Sequence, residues 1–176
     1  MDPDPGPSQQ NADVLADQVK AVHRNYPTGV TVITTSIDDQ PYGLAVNAFS
    51  SVSLDPPTVL FCVNQHSKTH AHLMAADIVG INILGFDQGD VAAVFASSGG
   101  DKFASLSWHT GLHGAPMIDG AAARLQARIE DRHSVGTHTV FYCTVVHAEA
   151  AEHEPLVYLR GSFIDGKQVN ELAQRP

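Results

Sequence analysis

The sequence predicts a mostly β protein, a closed antiparallel barrel flanked by a few short helices. Three observations carry this expectation. Most of the chain between Gly29 and Phe163 falls into short apolar runs rich in Val, Ile, Thr, Phe and Tyr, punctuated by Gly, Pro and Asp. Few segments show the helical period, and strands do not alternate with helices in the rhythm of a parallel sheet. A chain of 176 residues with 43% hydrophobic content buries one good core. The domain is set at 13–165, between a polar, Pro-rich tail (1–12) read as disordered and a C-terminal tail (166–176).

From Asp13 a helical pattern begins. Leu15, Val19, Val22 and Tyr26 recur at spacings of four and three on one face, and Pro27 stops the helix. Residues 29–37 alternate and are β-branched, a strand that turns through Asp38-Asp39-Gln40-Pro41 into another beginning at Tyr42. This next run is anomalous, because Gly43, Ala45, Asn47, Ala48, Ser50, Ser51 and Ser53 stand where a buried strand would carry Val or Ile. Such small residues leave peptide groups bare, so a flat polar ring can lie against them. After Asp55-Pro56-Pro57, residues 58–65 are almost continuously apolar, as suits a strand covered on both faces. A helix follows with Ser67 as its N-cap.

Residues 79–85 predict another strand and 87–96 another short helix. Residues 97–120, rich in Gly, Ser and His, are long for a loop, which marks a segment that acts or covers something. Two long strands follow at 121–135 and 138–152 across a Gly136-Thr137 turn, and residues 155–163 form a last strand. Residues 121–128 also contain good helix formers, so helix stands there as the alternative.

Composition and motifs exclude several functions. The net charge of −9, with ten Lys and Arg and no basic cluster, argues against nucleic acid. The first thirteen residues are unlike a signal peptide and no run of ~18 apolar residues occurs, so a cytoplasmic protein is expected. Cys62 and Cys143 sit in apolar runs, as buried thiols do. GxSxG, HExxH, CxxC, Walker and GxGxxG motifs are missing, and with them the minimum parts of serine hydrolases, zinc proteases, P-loop enzymes and Rossmann proteins. His66, His70 and His72 cluster and His109 and His113 are four apart, but without a carboxylate or Cys in register no metal is expected.

Ser67-Lys68-Thr69 is the better candidate. Where a strand passes through a turn into a helix, free N–H groups, two hydroxyls and an ammonium can meet an anion such as phosphate. The bland alternative is a capping Ser67 beside a solvated Lys68.

The ordered set YPTGVTVITT, GLAVNAFSSVSLDPPTVLFCV, SKT, INIL, FA followed by DKF, GAPMIDGA, GTHTVF and PLVYLRG resembles the short-chain flavin reductases, the reductase components of two-component flavin-dependent monooxygenases. The likeness runs from about Val19 to Phe163. It implies a split, Greek-key barrel, a homodimer, FMN or FAD as cofactor and NADH or NADPH as hydride donor, with reduced flavin supplied to a monooxygenase. By the same resemblance Gly43, Leu44, Ala45, Asn47, Ala48 and Ser50 contact the flavin, Cys62, Val63 and Asn64 border it, and Ser67, Lys68 and Thr69 take its phosphate. His138, Tyr158, Arg160 and Gly161 face the nicotinamide nucleotide, with His138 positioning its ring. Two residues depart from the family pattern: Thr137 replaces an Asp beside His138, and Val94 replaces an Arg before Phe95. Hydride transfer needs no protein nucleophile, which accounts for the missing catalytic signatures. A non-catalytic flavin- or haem-binding barrel and a metal-dependent hydrolase built on the histidine-rich loop are the alternatives.

Overall fold

In a computed structural model that describes residues 9–164, the chain forms three short helices and twelve strands around one barrel. Seven strands make the main antiparallel sheet: β2 (Thr31–Ile37), β3 (Gln40–Val46), β4 (Phe49–Leu54), β5 (Pro57–Asn64), β6 (Ile78–Ile83), β9 (Ala123–Val135) and β10 (His138–Ala150). Their order is β3-β2-β6-β9-β10-β5-β4. The two edge strands, β3 and β4, are consecutive in the chain, so the sheet curls on itself, and the Cys62 N–H donates to the Ala48 carbonyl at the corner (2.9 Å). The barrel expected from the strand count is present.

Local chemistry explains the joints. Asp38 and Asp39 both take positive φ (50° and 61°), the conformation of a two-residue turn whose twist matches its strands. β9 and β10 run thirteen residues each across Gly136-Thr137, so residues 123–128 are strand and the helical alternative is excluded.

Two cores lie on opposite sides of the sheet. Inside the barrel, Ile33, Phe61, Val63, Ile81, Phe141 and Cys143 pack together, and α2 (His70–Ala75) plugs one end with Leu73. Outside, Val32, Leu84 and Ile118 pack against α3 (Gly89–Ala96) through Ala92 and Phe95. β2 and β6 are buried on both faces: β2 gives Ile33 to the inner core and Val32 to the outer one, while β6 gives Val79 and Ile81 to the inner core and meets residues 116–118 through Gly80 and Asn82.

Several expectations are corrected. α1 spans Gln9–His23, so it begins inside the stretch read as a tail and ends before Tyr26 and Pro27. Residues 1–8 and 165–176 lie outside the described residues. The apolar stripe of α1 is uncovered in one chain, with Val22 68% exposed and Leu15 57%. β5 buries Val59, Phe61 and Val63 but leaves Thr58, Leu60 and Cys62 half-buried, so it is covered on one face only. Ser67 is not the N-cap of α2; Thr69 holds that position, without a side-chain capping bond. Residues 97–120 contain a small hairpin of β7 (Trp108–Thr110) and β8 (Pro116–Ile118). The last predicted strand is two, β11 (Val157–Leu159) and β12 (Ser162–Ile164), because Arg160 and Gly161 both take positive φ and reverse the chain. β11 pairs in turn with β1 (Thr28–Gly29). Among the described residues no helix is long and apolar enough to cross a membrane.

Candidate functional site

An open cleft of about 1000 Å³ lies between β3, the turn after β5, the start of α2 and the segment from Phe95 to Ala104. It gathers Gly43, Leu44, Ala45, Asn64, Ser67, Lys68 and Thr69, predicted from two separate stretches. The turn is held by backbone and side chain together. The Ser67 N–H donates to the Asn64 carbonyl (2.9 Å), the His66 N–H to Asn64 Oδ1 (2.8 Å) and the His70 N–H to the Ser67 carbonyl (3.0 Å). Asn64 therefore shapes the turn that presents Lys68. Thr69 is buried, and its Oγ1 donates to the Gly43 carbonyl (3.1 Å), which pins the turn against β3. Its hydroxyl proton is committed to that bond, so the exposed Lys68 is the free cationic arm of the triplet.

A second cation faces the same carbonyl. Lys102 Nζ donates to the Gly43 carbonyl (3.2 Å) and to the Phe95 carbonyl (3.1 Å), tying the segment after α3 to β3. Burial, and then the charge of Lys68, lower the Lys102 pKa from its ordinary value. An anion placed between the two ammoniums would relieve that repulsion, and this pair is what fits the cleft for a phosphate-bearing ligand. Apolar surface comes from Phe103 and Trp108, whose rings meet edge to face (5.4 Å, 71°). Tyr42 and His72 stack on another wall, 3.5 Å apart and 14° from parallel.

Gly43 is small for a reason the sequence did not disclose. A Cβ there would stand 2.7 Å from Phe95 Cε1 and 3.2 Å from the Ile33 carbonyl oxygen. The space is taken by the core packing of α3, so the bare peptide serves helix approach as well as the carbonyl that Thr69 and Lys102 share.

Other predicted contacts fall elsewhere. Val63 points into the barrel core, 1% exposed, and its strand neighbour Cys62 points to the opposite face, so neither side chain lines the cleft. Burial raises the pKa of the Cys62 thiol. Asn47, Ala48 and Ser50 are exposed at the β3–β4 corner, beyond the cleft lining. His138 stands opposite the cleft residue Asn64 on the neighbouring strand, with Nδ1 in a hydrogen bond to Thr137 Oγ1 (2.9 Å) and its carbonyl accepting from Gln65 Nε2 (3.2 Å). Tyr158 packs against the outer core. Arg160 and Gly161 form the β11–β12 turn, where the Arg160 guanidinium donates twice to Asn25 Oδ1 (3.0 and 2.7 Å). None of these three, nor His138, lines the cleft within one chain.

The histidines of the predicted cluster take separate partners: His70 Nε2 bonds Thr139 Oγ1 (2.9 Å) while His72 stacks on Tyr42. Ser107 Oγ donates to the Asp119 carboxylate (2.6 Å) and His109 Nδ1 meets its Oδ1 (2.7 Å), and these two contacts, in that order, hold the Asp119 pKa below its ordinary value. Among the described residues no group of three or more His, Cys, Asp or Glu is placed to hold a metal.

Lys102, Tyr42 and Trp108 line the cleft but were passed over in the sequence, and His72 was weighed there only as a metal ligand. For Lys102 and Trp108 the signal was the flag on residues 97–120 as a functional segment, with Lys102 set between Asp101 and Phe103.

The model of the flavin reductase like domain matches residues 23–167. The reductase component of 4-nitrophenol 4-monooxygenase/4-nitrocatechol 2-monooxygenase from Rhodococcus opacus is 42% identical over 89% of this chain and 85% of its own length. The FMN reductase (NADH) SmoA of Agrobacterium fabrum is 36% identical over 78% of this chain and 79% of its own. Among solved structures, the Streptomyces globisporus C-1027 NADH:FAD oxidoreductase SgcE6, in complex with NAD and FAD fragments, superposes with a TM-score of 0.81 at 35% identity, covering 85% of this chain and 91% of that one.

Proposed function

We propose, from the premise that this chain belongs to the flavin reductase like domain family, how its residues perform the family's reaction. The protein is an NAD(P)H-dependent flavin reductase of split-barrel fold that reduces FMN or FAD and supplies the reduced flavin to a monooxygenase component. The observation that carries the local assignment is the convergence of Lys68 and Lys102 beside the bare Gly43 peptide in a cleft of about 1000 Å³.

A flavin held in this cleft would supply the chemistry, hydride transfer from a reduced nicotinamide. The chain supplies position. Lys68 holds the phosphate, with Lys102 behind it; Thr69 holds the turn to β3; Gly43, Leu44 and Ala45 offer backbone along one edge of the cleft. Phe103 and Trp108 give an apolar wall that excludes water from one side. His138, paired across the sheet with Asn64, positions the nicotinamide. Tyr158, Arg160 and Gly161 are assigned to the nucleotide on the resemblance, and their place on the β11–β12 turn makes that the more distant part of the reading.

The functional unit in this reading is a homodimer. Its support is the apolar surface one chain leaves uncovered on α1, together with the half-buried outer face of β5. Light scattering at micromolar concentration should give twice 18.8 kDa; the monomer mass would refute it. We place the protein in the cytoplasm, where the nicotinamide nucleotides it consumes are kept.

The test of function is oxidation of NADH and of NADPH, followed by loss of nicotinamide absorbance, with and without FMN or FAD. Flavin-dependent oxidation is expected. Flavin binding without oxidation would instead favour a non-catalytic barrel.

A further inference from the structure

The cleft offers more kinds of surface than a flavin mononucleotide uses. Its volume stands at the top of the ~300–1,000 Å³ range of small-molecule sites. Its chemistry is also ordered along β3. Ala45 lies toward the apolar wall that contains Phe103 and Trp108. Gly43, in the middle, is where Lys102 and the Ser67–Thr69 turn converge on one carbonyl. Tyr42 lies at the other end, stacked on His72, which follows Thr69 by less than one helical turn. The sequence of surfaces is therefore apolar wall, two cations, aromatic stack.

A mononucleotide has one ring and one phosphate and leaves the aromatic stack unused. A dinucleotide has a ring at each end and two phosphates between, which is the order of surfaces in the cleft. We propose that the cleft is built to prefer the flavin dinucleotide over the mononucleotide, with Lys68 and Lys102 on its pyrophosphate and the Tyr42–His72 stack receiving its adenine. The inference rests on the flavin reductase reading of this site and adds the choice of flavin to it. Two cations suit a pyrophosphate because each can meet one phosphoryl group, and Lys102, held by two backbone carbonyls, is fixed in place before the ligand arrives. The stacked pair is likewise preformed, so a purine meets a flat surface without ordering a loose side chain.

The test is calorimetric titration of the flavin-free protein with FAD, FMN and ADP. FAD should bind at least about tenfold more tightly than FMN, and ADP should compete with FAD. His72→Ala and Tyr42→Ala should each weaken FAD by about 5- to 150-fold, the span of base–aromatic stacking, while FMN binding holds. Lys102→Met should weaken FAD more than FMN. Because Tyr42 is half-buried, the wild-type comparison decides the matter without any variant. Equal affinity for FAD and FMN, or an equal loss of both in His72→Ala, would overturn the preference while leaving the reductase reading intact. A protein that bound neither flavin would overturn both.

Discussion

Replacing Gly43 by Ala tests how the cleft is supported. The added Cβ would sit 2.7 Å from Phe95 Cε1, where carbon atoms prefer ~3.5–4.0 Å, so the ring must retreat by about 1 Å. It has little room to do so. Phe95 is 1% exposed and meets Phe103 edge to face (5.2 Å, 85°), and the Ile33 carbonyl, 3.2 Å from the same Cβ, belongs to a central strand that cannot yield. Overpacking of this kind costs about 1–3 kcal/mol. At about 2–4 °C per kcal/mol for a chain of this size, the melting temperature should fall by about 2–12 °C. Flavin affinity should fall as well, because the Gly43 and Phe95 carbonyls both anchor Lys102; loss of that one cation caps the effect at about a hundredfold. Thermal melts and flavin titrations of Gly43→Ala are compared with Gly29→Ala, whose Cβ meets nothing within 4 Å. If Gly43→Ala melted and bound flavin like wild type, the account of Gly43 as the seat of Phe95 would be wrong.

Three further outcomes are expected. Lys68→Ala should weaken FMN binding by about ten- to a hundredfold, the value of one charge-assisted contact, and leave riboflavin unchanged in a fluorescence titration; equal FMN and riboflavin affinity in wild type would remove the phosphate site. His138→Ala should slow reduction of bound flavin by up to about a hundredfold in stopped flow without changing flavin affinity, since ~1 Å of misplacement costs that much; a wild-type rate would return His138 to a turn residue. Burial pushes the Cys143 thiol up to about 12 from 9.0, so its contribution to stability is complete below pH 9 and is lost as pH rises toward 12. Native protein should resist alkylation at Cys143 at pH 8, and Cys143→Ala should melt with a shallower alkaline slope between pH 9 and 12; rapid labelling at pH 8 would contradict the burial.

What the sequence disclosed follows contact range. The β2–β3 hairpin and the β9–β10 hairpin were legible because alternation and turn residues act within a few positions. The Ser67-Lys68-Thr69 turn was legible for the same reason, though its hydrogen bonds corrected the roles: Thr69 is a strut and Asn64 a shaper. Lys102 was not legible as a site residue, because it reaches the Gly43 carbonyl across 59 residues of chain and only the closed barrel shows that approach. The Tyr42–His72 stack was hidden in the same way, since nothing in the local pattern of either segment says that β3 and α2 meet at the rim. Arg160 was assigned to the nucleotide by resemblance alone, and the positive φ that it shares with Gly161 puts both in a turn bound to Asn25.

Two of the misjudged elements share a physical cause. Residues 58–65 read as a strand covered on both faces, and Leu15, Val19 and Val22 as one apolar face of a helix, yet one chain covers only the inner side of β5 and leaves α1 bare. Apolar periodicity reports that a face is to be removed from water and is silent on whether the covering layer comes from the same chain. For β2 and β6 the layer is intramolecular, supplied by α3 and the segment that packs Phe103 and Ile118. For β5 and α1 no layer exists within the described residues. A second copy of the chain is the simplest source of it, because the uncovered surfaces occur once per chain and a two-fold axis lets each patch cover its equivalent. The homodimer proposed on the resemblance and the excess apolar pattern in the sequence are thus one expectation reached by separate routes. If charges placed at Leu15 and Val22 left the light-scattering mass of a dimer unchanged, α1 would not be part of that interface.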